Sequence, residues 1–206
     1  MTLPAHGTTT GVITNFISGE LTQMGIKVDE ELKAFNNQTI TSDDGNESKE
    51  ADQAWGPFTS PPEYPATKPT VVLEVGLSET ADKLKNDALF WLNPKKGAAN
   101  MVITCKIDRG TPFIMLEKWE RPNPKGRIQV TEVVVIAQKT LTRAEKANTS
   151  IEEQMELSKT ALTIPLFTLF RRDPVQGQTD IVFDEGMLKN LARRAWEEQG
   201  FLTTGS

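Results

Sequence analysis

Residues 70–75 read Thr-Val-Val-Leu-Glu-Val, a short and nearly continuous apolar run rich in β-branched side chains. Such a run has to be covered on both faces, as a central strand is when helices pack on each side of its sheet. Ser78 is a suitable N-cap, and Glu79 and Asp82 suit the positive end of a helix that runs to about Leu92, with Leu84, Ala88, Trp91 and Leu92 on one side. A second apolar run follows at 100–107. A strand, a helix and another apolar strand make a crossover unit, so the two strands are expected to be parallel neighbours in one sheet of an α/β domain.

The flanking segments extend this unit. Ile13, Phe16, Ile17, Leu21 and Met24 recur at three- and four-residue steps, which predicts an amphipathic helix over 10–24 with Glu20 on its apolar side. A strand over 34–41, turn chemistry at Ser42-Asp43-Asp44-Gly45-Asn46 and a short strand over 51–55 come next. Pro57, Pro61, Pro62, Pro65 and Pro69 then forbid regular structure up to the central strand. Downstream, 113–119 and 128–137 read as an antiparallel hairpin, 140–157 as a polar loop with a short helix, and 160–170 and 179–183 as strands. Leu188, Leu191, Ala192, Ala195 and Trp196 stripe a last helix over 184–199. The whole reads as one domain over 1–206, with a core at about 10–140 and added C-terminal strands and a helix at 158–200.

Composition narrows the chemistry. Cys105 is the sole cysteine and lies in an apolar run, where a buried thiol is the usual fate. His6 is the sole histidine, near the start of the chain and expected on a mobile tail, so Cys–His zinc sites and Ser-His-Asp catalysis lack their residues. Chemistry is left to carboxylates, lysines and a hard metal. No apolar stretch approaches membrane-spanning length, and 1–4 lacks a basic segment followed by an apolar run, which predicts an intracellular protein, cytoplasmic or nuclear, off the membrane. The formal net charge is −5, yet residues 83–127 carry 10 basic and 4 acidic side chains against 4 and 13 in residues 1–82. Either the middle segment is a solvated lysine-rich surface or it meets an anionic ligand.

Glu74 stands out because an ionised side chain is costly in a buried strand unless paired, metal-bound or hydrogen-bonded at its rim. A helix with inward Glu20, a short strand with Asp52, the central strand with Glu74, then a helix and a parallel strand together resemble the core of PD-(D/E)XK nucleases, the restriction-endonuclease-like fold. Asp52, Pro-Thr-Val-Val-Leu-Glu74-Val-Gly-Leu-Ser78, Asp87 and Trp91 on the helix, and the strand 100–107 are more closely similar to two groups. One is a bacterial endonuclease family with a Glu-Val-x-Ser signature, the other a set of uncharacterised fungal proteins; the likeness covers roughly residues 45–120. It implies a mixed β-sheet core flanked by helices and metal-dependent hydrolysis of nucleic acid, DNA before RNA. It also implies Mg2+ (or Mn2+) held by Asp52 and Glu74, with Glu20 as accessory acid.

Two departures qualify that reading. The family's lysine two residues after the glutamate is Gly76 here, and the residue before Asp52 is Ala51 instead of proline. The ammonium then comes from elsewhere, with Lys83, Lys85 and Lys106 as candidates and Lys85 placed with the catalytic set, or the site has lost hydrolysis and the chain is a nuclease-fold binding or interaction protein. Glycine at 76 allows close backbone approach, for a ligand or for packing.

Overall fold

The computed structural model describes residues 4–36, 38–59, 67–77, 80–123 and 126–202. Helix α1 (Pro4–Gln23) buries Ala5, Thr9, Ile13, Ile17 and Leu21, one residue per turn along a single stripe. It begins earlier than the periodicity predicts, because Pro4 is tolerated in a first turn whose N–H groups lack helical partners. His6 is thereby part of a helix and not of a tail. A single turn α2 (Val28–Glu31) leads into β1 (Leu32–Ala34), and the expected strand over 34–41 is divided: β2 (Ile40–Thr41) turns through 42–47 into β3 (Ser48–Lys49) as a separate small hairpin. β4 (Gln53–Pro57), β5 (Val71–Leu77), α3 (Ala81–Trp91) and β6 (Met101–Ile107) follow.

The crossover forms as expected, with β5 parallel to β6 from Val71↔Met101 to Leu77↔Ile107. Ser78 and Glu79 lie outside the described residues; the N-cap of α3 is Thr80, whose hydroxyl accepts the Lys83 N–H. β7 (Phe113–Glu120) and β8 (Gln129–Gln138) make the predicted antiparallel hairpin, and α4 (Arg143–Ala147) is the short helix of the polar stretch. β9 (Met155–Leu157) pairs with β8, and nothing in the polar local sequence marks it. Among the described residues the main sheet has seven strands in the order β1-β4-β5-β6-β7-β8-β9, all neighbours antiparallel except β5 and β6.

The segment 160–170 is a strand only over β10 (Leu162–Ile164); Pro165 then starts α5 (Leu166–Phe170), which buries Leu166, Leu169 and Phe170. Proline has no N–H for a ladder, and the apolar spacing beyond it suits a helix as well as a strand. β11 (Ile181–Phe183) pairs antiparallel with β10, and α6 (Glu185–Glu198) closes the chain, capped by Asp184 accepting the Met187 N–H at 2.8 Å.

The result is the expected mixed sheet flanked by helices with an added C-terminal pair of strands and a helix. One core cluster joins α1 and α6 to Leu73, Val75, Ile103 and Cys105 on one face of the sheet; a second joins Ala88 and Trp91 of α3 to Val72 and Val102 on the other. Cys105 is fully buried, and burial pushes its thiol up to about 12. Among the described residues no helix is long and apolar enough to cross a membrane.

Candidate functional site

β5 alternates Val72, Glu74 and Gly76 toward α3, and Val71, Leu73 and Val75 toward α1 and α6. Glu74 is therefore pressed beneath α3 and only 5% exposed. Its Oε1 accepts the indole N–H of Trp91, and the Lys49 ammonium lies 3.7 Å from the same oxygen. Burial pushes the Glu74 carboxyl up to about 8, with Asp52 and Asp87 adding to the rise and Lys49 and Trp91 opposing it.

Asp52 directly precedes β4, whose register runs Gln53↔Leu73 and Ala54↔Val72 against β5. The next pair in that register is Asp52 and Glu74. The Val75 N–H donates to Asp52 Oδ2 at 2.7 Å, and His6 Nε2 stands 3.2 Å from Asp52 Oδ1. Lys49 reaches in from β3 and places its ammonium 2.7 Å from Asp87 Oδ1. Its hairpin is tied to the segment after α3 by the Asp43 N–H donating to the Lys95 carbonyl and by an ion pair of Lys96 with Glu47, and to the segment before β5 by an ion pair of Lys68 with Asp43. The cluster is thus Lys49, Asp52, Glu74 and Asp87, with Trp91 and His6 at its margins.

Of the residues anticipated from sequence, Asp52 and Glu74 are brought together and Glu20 is not. Glu20 is half-buried on α1, and at 1.5 Å of rise per residue it stands about 21 Å along the helix from His6. The face of α1 near the acids is presented by His6 instead. Lys85 is exposed and two residues from Asp87 on α3, a spacing that does not share a helix face. Lys83, also exposed, occupies the first turn, and Lys106 lies on β6 in register with Gly76.

Lys49 is the ammonium that reaches Glu74, and sequence reading misses it because β3 is two residues long and its partners come from β5 and α3. Gly76 has a packing reason. A Cβ placed there would meet Leu84 Cδ1 at 2.9 Å, so a side chain at 76 would press on a buried leucine of α3.

A cleft of about 350 Å³ is lined by Pro4, Ala5, Leu77, Arg109, Glu198 and Gln199. It lies past the C-terminal ends of β5 and β6.

The acids do not fit a resident divalent ion in this arrangement. Magnesium and manganese take several oxygen ligands, whereas both Asp52 oxygens, Glu74 Oε1 and Asp87 Oδ1 already face protein donors or cations. Among the described residues no group of three His, Cys, Asp or Glu side chains is disposed to hold a metal.

No protein-family model matches the chain, and no curated protein matches it. A solved structure similar to this chain is that of a candidate nuclease of the DUF820 family from Anabaena variabilis, at 13% identity and a TM-score of 0.39, with 63% of this chain and 68% of that one covered.

Proposed function

We propose that the chain hydrolyses phosphodiester bonds of nucleic acid, DNA before RNA, at the cluster of Lys49, Asp52 and Glu74. The observation that carries this reading is the pairing of a carboxylate just before β4 with one on β5, the latter held protonated near neutral pH by burial, with an ammonium between β3 and α3. Two acids in unlike environments divide into a base and an acid. Asp52 takes a proton from the attacking water as its oxygen bonds to phosphorus. The ester P–O bond breaks, and Glu74 gives its proton to the departing oxygen. The proton on Asp52 then leaves through solvent, and Glu74 is reprotonated from solvent. The Lys49 ammonium stabilises the charge that gathers on the phosphoryl oxygens, and Arg109, which lines the cleft, attracts the polyanion.

The test uses labelled single- and double-stranded DNA and RNA oligonucleotides, with and without added Mg2+ or Mn2+. Cleavage by the native chain is expected to fall at least about 100-fold in Asp52→Asn and in Glu74→Gln, the scale of losing one proton-transfer group. Absence of cleavage of every substrate in every buffer, or full activity in both variants, removes the reading.

A further inference from the structure

We infer that the Lys49 ammonium takes the place of a divalent cation at the acids, so that the site carries its positive charge as a side chain and holds no resident metal. This inference rests on the hydrolytic reading only for its relevance to catalysis; the ion chemistry stands on the geometry. Lys49 is 2.7 Å from Asp87 Oδ1 and 3.7 Å from Glu74 Oε1, and its side chain is 22% exposed. An ion bound to Glu74 Oε1 at about 2.0–2.6 Å would lie within about 6 Å of the ammonium, where the two like charges repel, the more so in apolar surroundings.

The same oxygen already accepts the Trp91 indole N–H. Asp52 is already engaged on both oxygens, by the Val75 N–H and by His6. Leu84 packs over Gly76, two residues along β5 from Glu74. The hairpin that brings Lys49 is anchored to residues after α3 by Asp43, Glu47, Lys95 and Lys96, so the ammonium is positioned by structure and not by a loose surface chain.

The test is an ion titration of the full chain, read by loss of the free Mn2+ electron paramagnetic resonance signal and by Tb3+ luminescence sensitised through Trp91. The native chain is expected to bind no stoichiometric ion. Lys49→Met is expected to gain one bound equivalent, and Lys49→Met/Glu74→Gln to lose it again; Lys49→Gln serves if the methionine variant does not fold. A full equivalent bound by the native chain and abolished by Glu74→Gln overturns the inference, as does a folded Lys49 variant that binds no ion. Cleavage that persists in EDTA supports the inference, and cleavage that starts only on adding metal overturns it while leaving hydrolysis intact. Absence of any cleavage refutes hydrolysis and leaves the titration to decide on the ion.

Discussion

Glu74 concentrates the energetic cost of the site in one side chain. Its carboxyl is pushed up to about 8 from an ordinary 4.5, chiefly by burial, so the native state holds this proton more tightly than the unfolded chain does. The contribution of this group to stability is fully present below pH 4.5 and is lost progressively as pH rises toward 8. The full shift corresponds to at most about 5 kcal/mol. Glu74→Gln keeps an acceptor for the Trp91 indole and cannot ionise. Urea unfolding across this pH range is expected to show a steeper decline in the native chain than in the variant, with the variant the more stable above pH 8. Superimposable pH profiles would refute the buried, protonated state of Glu74.

At the scale of elements, the contact between β5 and α3 leaves a side chain at 76 little room. Leu84 is 3% exposed and its Cδ1 would lie 2.9 Å from a Cβ at that position. Gly76→Lys is therefore expected to destabilise by about 1–3 kcal/mol, the usual range for overpacking. Leu84→Ala opens the space, so adding it to Gly76→Lys is expected to cost less than the sum of the two single changes. A double-mutant cycle by urea unfolding measures that coupling; strict additivity would show that Leu84 is not the obstacle. The ammonium beside Glu74 comes from the β2–β3 hairpin through Lys49, and α1 brings His6 to Asp52.

At the scale of the whole molecule, α1 and α6 pack together on one face of the sheet, and both contribute side chains to the core there. Trp196 is fully buried there, and its indole N–H has no hydrogen-bond partner among the described residues. Trp196→Ala is expected to cost about 3–5 kcal/mol. Trp196→Phe retains most of the apolar bulk and gives up an N–H that has no partner to lose, so its cost is expected to be well below that of alanine. Equal losses in the two variants, read from urea midpoints at constant slope, would show that ring packing is not what Trp196 contributes.

Element order and the crossover are written locally. Alternation and three- or four-residue periodicity are properties of adjacent side chains, and they place β5, α3, β6, the β7–β8 hairpin and α6 from residues such as Val71, Leu84 and Leu188. Glu74 is legible for the same reason, since an ionisable residue in an apolar run is conspicuous wherever the strand goes, whereas Asp52, among polar neighbours, is reached only through the resemblance. Lys49, His6 and Leu84 are not legible in this way. Their roles arise when strand register and helix packing bring residues far apart in the chain within a few ångströms. Glu20 shows the converse, for its inward position on α1 is local, but its distance from the acids is set by how the whole helix lies against the sheet.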